Sequence, residues 1–153
     1  MTSQPSGAKP SPVEEFAPGC TIEWLGDGQI CAMTLRTSAR TSFDAWANRS
    51  IEIRAGWPAD RPIFLLLDVA DPKYGLTPFA RSRAMEISRV RPELKTYIAI
   101  ITSKSFSGQI VQIFVRSVGT LFPKLNMRIF FNRQEALAWL EKEQAASKPA
   151  SVS

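Results

Sequence analysis

The sequence predicts an α/β domain: a mixed β-sheet of about five strands, opened by an N-terminal hairpin, continued by strand–helix repeats and covered by about four helices. Three observations predict it. First, a buried apolar run of strand length precedes a helix-length run three times: Ile63 to Val69 before Thr77 to Val90, Tyr97 to Thr102 before Ser107 to Phe122, and Met127 to Phe131 before Asn132 to Glu143. Parallel strands joined by covering helices give a layered α/β sheet. Second, two period-two segments flank Asp27-Gly28, the signature of a hairpin. Third, 153 residues with 44% hydrophobic content suffice for one core without help from metals or disulfides.

Met1 to Pro18 carries four prolines and few large apolar side chains. Such a stretch cannot repay its ordering entropy, so a disordered tail is expected there. The same reasoning applies to Ala145 to Ser153, leaving a domain from Gly19 to Gln144. The start lacks the basic-then-apolar pattern of a secretory signal, and no run reaches the roughly 18 apolar residues of a membrane span. A cytoplasmic location is the expectation.

Cys20, Ile22 and Trp24 alternate with Thr21, Glu23 and Leu25, and Cys31, Met33 and Leu35 alternate with small or polar neighbours. A two-residue turn at Asp27-Gly28 places Cys31 opposite Trp24 and Cys20 opposite Leu35, so the thiols do not face each other. They read as inert core residues. Thr41-Ser42 then caps a helix whose inner face is Phe43, Trp46, Ala47, Ser50 and Ile51, ending at Gly56 and Pro58.

Ile63 to Val69 is apolar on both faces until Asp68, as a central covered strand should be. After a turn containing Asp71-Pro72 and Gly75, Thr77 caps a helix with Pro78 in its first turn. Phe79, Ala80, Ala84, Ile87 and Val90 form its inner stripe, Arg81, Arg89 and Arg91 its outer face, and Arg91-Pro92 its end. Tyr97 to Thr102 is the next covered strand. A hydroxyl-rich loop, Ser103 to Gly108, leads into a helix whose Ile110, Val111, Ile113, Phe114, Val115, Val118, Leu121 and Phe122 span more than half its circumference. That is wider than one core needs. Met127 to Phe131 is the last strand, and Asn132 with Glu135 starts a helix packing through Ala136, Leu137, Trp139 and Leu140.

The composition speaks against catalysis. The sequence contains no histidine, which removes the commonest general base and metal ligand. Ser103, Ser105 and Ser107 have no base nearby, Asp68 with Asp71 is a short acidic pair rather than a metal cluster, and no phosphate-binding loop is spelled out. The expectation is no enzyme, no catalytic residue, no metal and no cofactor. Between Pro78 and Phe130 nine basic residues face two acidic ones, Glu86 and Glu93, an excess of seven. Such a bias can draw nucleic acid, anionic lipid or an acidic protein, or simply keep a face solvated. The aromatics there are predicted inside, so the stacking platform of a single-strand binder is missing and nucleic acid is not the expected partner.

The closing pattern Phe130-Phe131-Asn132-Arg133-Gln134-Glu135-Ala136-Leu137-Ala138-Trp139-Leu140, together with Leu66-Leu67-Asp68, Thr77 to Arg81 and Tyr97 to Ser105, resembles the bacterial SpoIIAA-like group of STAS-type domains, over about Gly19 to Lys142. The resemblance implies a regulatory, protein-interaction role. In anti-sigma-factor antagonists of that superfamily a serine at the start of the helix after the central strand is phosphorylated by a partner kinase, so the resemblance implies a phosphoregulatory position. Here that position is Thr77, although Leu76-Thr77-Pro78-Phe79-Ala80 departs from the family's Asp-Ser-Ser-Gly-Leu. The same superfamily is related to the CRAL-TRIO lipid-binding fold, which implies a lipid or small apolar ligand as the alternative.

Two surfaces follow. A regulatory module would dock a protein partner or itself, as a homodimer, through Phe106, Ile110, Ile113, Phe114, Val118, Leu121 and Phe122, because an exposed apolar patch needs a cover. A carrier or sensor of a lipid would instead line a pocket with part of that stripe and meet a headgroup with Lys104 and Arg116.

Overall fold

The computed structural model describes residues 12–148. The element order is β1 (Glu14–Ala17), β2 (Cys20–Leu25), β3 (Ile30–Leu35), α1 (Arg40–Ala55), β4 (Ile63–Asp68), α2 (Pro78–Arg89), β5 (Thr96–Ile101), α3 (Phe106–Leu121), β6 (Leu125–Phe130) and α4 (Arg133–Ser147). The six strands form one sheet in sequence order, with β1, β2 and β3 antiparallel and β3 to β6 parallel. The sequence expectation of an α/β mixed sheet with four helices holds, with one strand more.

That extra strand is β1, which pairs with β2 inside the stretch expected to be a tail. Four residues, two of them exposed glutamates, carry no readable period, and Arg49 holds Glu14 at 2.8 Å to fix the strand against α1. The tail expectation is corrected there; its part over 1–11 lies outside the described residues. At the other end α4 runs to Ser147, three residues past the expected boundary, and 149–153 are again outside.

The hairpin register is the one Asp27-Gly28 dictates: Cys20 opposite Leu35 and Trp24 opposite Cys31. Asp27 and Gly28 both take positive φ, 60° and 80°, and the Gln29 N–H donates to the Gly26 carbonyl at 3.2 Å. This is a primed turn, whose twist matches the strands. Both cysteines are buried and free. Burial pushes the Cys31 thiol up to about 12, with the charge of Arg49 pulling partly back, and burial raises Cys20 as well. Since the thiolate is the reactive species, native protein at about pH 8 should take up a thiol reagent slowly at both positions and rapidly only once denatured. Fast stoichiometric labelling of the native fold would contradict the burial.

α1 begins one residue before Thr41, with Ala39 as its cap and no side chain serving it. Ser42 is buried, and its hydroxyl donates to the Pro18 carbonyl at 2.8 Å instead. The capping role expected of Thr41-Ser42 is thus corrected, because the Ser42 hydroxyl fastens the β1–β2 turn. Thr77 does cap α2, accepting from the Ala80 N–H at 3.1 Å, and Asn132 caps α4, accepting from the Glu135 N–H at 2.9 Å.

Each parallel crossover carries its helix over the same sheet face, so α1, α2 and α3 share one side and α4 packs on the other. Under α4 lie Phe64, Leu66, Tyr97, Ala99 and Ile101, with Tyr97 stacked on Phe64 at 5.2 Å. On the three-helix side α1 and α2 pack on each other, whereas α3 touches the sheet chiefly along β6. That uneven seating positions the site described next.

Candidate functional site

Beneath the three helices lies a cavity of about 130 Å³ walled by both the sheet and the helices. Its floor is the alternating inner face of the parallel strands, including Met33, Leu65, Leu67, Ile98, Ile100 and Met127. Its roof is Trp46 and Ile53 of α1, Ala84 and Ile87 of α2, and Val111, Phe114, Val115 and Val118 of α3. Ligand sites have apolar walls of this kind with few polar groups, and at about 130 Å³, below the roughly 300 Å³ at which drug-sized sites begin, this void suits a slender guest. A void lined by aliphatic and aromatic side chains gains nothing from water and accepts an apolar guest.

The polar side chains in this wall are nearly all committed elsewhere. The Ser88 hydroxyl donates to the Ala84 carbonyl at 2.9 Å and the Ser50 hydroxyl to the Met33 sulfur at 3.8 Å. The Arg54 guanidinium donates to the carbonyls of Val90 and Arg91 and to the Thr96 hydroxyl at 2.6, 3.1 and 2.9 Å. Burial lowers the Arg54 pKa, the nearby Glu93 charge partly offsetting this. The guanidinium stays charged, as arginine does in proteins.

A second recess of about 240 Å³ adjoins the first where β4 and β5 end and α3 begins. Val69, Tyr74 and Val111 belong to the walls of both. Its other walls are Asp71, Pro72, Thr102, Ser103, Ser105 and Ser107. Here Ser105 caps α3, its hydroxyl accepting from the Gly108 N–H at 3.3 Å, and the Ser103 and Ser105 hydroxyls bond each other at 2.5 Å. Gly108 fits because a Cβ there would overlap the Ser103 carbonyl, so the loop and the first turn of α3 are seated backbone against backbone.

The apolar stripe of α3 is divided by the structure rather than kept as one surface. Phe106, Ile113 and Leu121 point outward, 76%, 62% and 62% exposed, while Phe114 and Val118 face the cavity. Ile110 and Phe122 are half-buried between the two sides. The excess width of the stripe therefore has two sources. Lys104 and Arg116 are exposed and belong to neither recess; the Lys104 ammonium sits 5.2 Å from the Phe131 ring. Thr77 is half-buried, with its hydroxyl engaged in capping.

Sequence reasoning passed over Tyr74 and Thr102. The available signal was their position in segments that follow parallel strands, where ligands collect. Among the described residues no group of three or more His, Cys, Asp or Glu could hold a metal ion, and no helix is long and apolar enough to cross a membrane. No family model, curated protein or solved structure matches the chain.

Proposed function

We propose that this domain binds a small apolar or lipid-like molecule in the cavity beneath α1, α2 and α3, as a carrier or sensor and without turnover. The observation that carries the reading is the cavity itself: about 130 Å³ bounded almost wholly by aliphatic, aromatic and thioether groups in the middle of a domain. A void of that size forfeits dispersion contacts, which a guest restores. α3 is the natural door, since it rests on the sheet mainly along β6 and the other two helices brace each other. The absence of histidine from the sequence favours binding over chemistry.

The likeness to SpoIIAA-like domains remains part of this proposal. It rests on the hairpin followed by strand–helix repeats and on the Phe130 to Leu140 pattern. A phosphate at Thr77 would sit at a helix N-terminus, which favours it electrostatically, but its attachment would withdraw the cap of α2. The test of the main reading is organic extraction of protein purified without detergent, followed by mass spectrometry, with an apolar fluorescent dye titrated into the stripped protein. Recovered lipid or saturable one-to-one dye uptake supports it; an extract free of lipid together with no dye uptake sinks it.

One further observation favours self-association as a second reading. Phe106, Ile113 and Leu121 recur every seven or eight residues, so they form one exposed line along α3. Ile113→Glu would put a charge in the middle of that line. Sedimentation across a concentration series should then show the parent associating and the variant monomeric. A parent that stays monomeric throughout would remove this reading and leave the cavity untouched.

A further inference from the structure

We infer that the molecule held by this domain is a neutral amphiphile, an alcohol or glycerol monoester on an alkyl chain, with its chain in the apolar cavity and its hydroxyl head between Tyr74 and Thr102. The inference rests on the apolar-ligand reading above and adds the chemistry of the head. Its first support is adjacency. The apolar cavity and the hydroxyl-lined recess lie side by side, with Val69, Tyr74 and Val111 in the walls of both, so a chain seated in the first brings its head beside the second.

The second support is a pair of unpaired hydroxyls. Thr102 is 2% exposed and Tyr74 8% exposed, both line the recess, and neither hydroxyl has a hydrogen-bond partner among the described residues. Neither oxygen is sealed off, so both keep surface open to the recess, where a partner from outside the chain can reach them. The Thr102 backbone is fixed by its N–H bond to the Phe130 carbonyl at 3.0 Å, and the Tyr74 ring packs edge-on against Phe43 at 5.9 Å. These contacts fix where the Thr102 backbone and the Tyr74 ring sit beside the recess. Burial also raises the Tyr74 pKa, so the phenol remains a neutral donor and acceptor.

The third support is charge. Among the described residues Asp71 is the one charged side chain in the recess wall, and its carboxylate accepts from the Lys73 N–H at 2.8 Å. An anionic head would meet that carboxylate with only the partial charge at the start of α3, and no lysine or arginine among the described wall residues, to offset it. A cationic head would meet the positive end of α3, whose first turn opens on the same recess. A neutral hydroxyl head avoids both penalties: it can donate to Asp71 while exchanging bonds with Tyr74 and Thr102. Sites that pair a hydroxyl in this way reject analogues lacking it.

The test is displacement of a bound apolar dye from the stripped full-length protein by three compounds with the same chain, each below its micelle concentration: the glycerol monoester of decanoic acid, decanoate and decylammonium. Titrations are repeated on Tyr74→Phe and Thr102→Val. The monoester is expected to displace at roughly tenfold or more lower concentration than either ion, each substitution is expected to weaken the monoester roughly tenfold, and neither is expected to weaken the ions. Thermal unfolding of the unliganded variants should stay level or rise, because these hydroxyls support no bond within the fold. Equal displacement by all three compounds, or preference for an ion, overturns the head assignment and leaves the apolar-cavity reading standing. Failure of every compound and of the dye overturns both.

Discussion

Replacing Arg54 with methionine is expected to lower the unfolding free energy by about 3 kcal/mol, the summed loss of its charge-assisted bonds less the regained desolvation of a buried cation. In a domain of this size that corresponds to a drop of about 10 °C in the melting temperature. Arg54 is 4% exposed and is bound by no carboxylate; its fork meets the carbonyls of Val90 and Arg91, at the end of α2, and the Thr96 hydroxyl on β5. In return, Arg91 donates to the carbonyls of Arg54, Ala55 and Trp57 at 3.4, 3.2 and 2.7 Å, at the end of α1. Each helix thus presents a cation to the other's negative end, where orphan carbonyls need donors. Arg91 adopts φ 51°, a left-handed position that glycine usually fills, at a cost of about 1 kcal/mol. The side chain is worth that strain because a glycine could not reach α1.

The same geometry separates charge from shape. Arg54→Lys keeps the charge but offers a point ammonium in place of a planar fork, and three acceptors in different directions cannot all be met. It should recover less than half of the loss. If Arg54→Met melts within about 2 °C of the parent, a shift of well under 1 kcal/mol, the reciprocal clamp contributes nothing to stability. Denaturant unfolding with an unchanged slope would show that the variant loses stability rather than native structure.

What the sequence disclosed follows from how local each feature is. The hairpin register was legible because Asp27-Gly28 sets it within a few residues, and the covered strands because Ile63 to Val69 and Tyr97 to Thr102 are apolar on both faces. β1 was hidden because its pairing and its Arg49 contact, not its composition, make it a strand. The start of α1 was misread for a similar reason: the Ser42 hydroxyl has a tertiary use that outranks capping. The width of the apolar stripe on α3 was visible, yet width alone does not say how many surfaces it serves. A valine packed to contact and a valine facing a void read alike. Hence the cavity, and with it the place of Tyr74 and Thr102, needed three dimensions, while Lys104 and Arg116 looked suitable only because they are near in sequence.

Filling the cavity should abolish ligand uptake without unfolding the domain. Ala84 is the position to use: it lies mid-helix on α2, is half-buried and lines the void with the smallest side chain of its wall. Phenylalanine there gives up about 0.5 kcal/mol of helix propensity and gains about 1.5–3 kcal/mol from burying the ring, so the unliganded protein should melt at or above the parent temperature. Overpacking would instead cost about 1–3 kcal/mol, and Ala84→Leu, a smaller addition, keeps the experiment informative in that event. Either folded variant should bind the apolar dye at least about a hundredfold more weakly, since the ring or isobutyl group takes the volume that the guest would fill. Ile113→Glu, on the outer side of α3, should leave dye affinity as it is. The two substitutions divide the helix's faces by function: one removes binding and spares association, the other does the reverse. A folded Ala84→Phe protein that takes up dye with parental affinity would show that the guest sits elsewhere, and the outward line of Phe106, Ile113 and Leu121 would then be the surface to pursue.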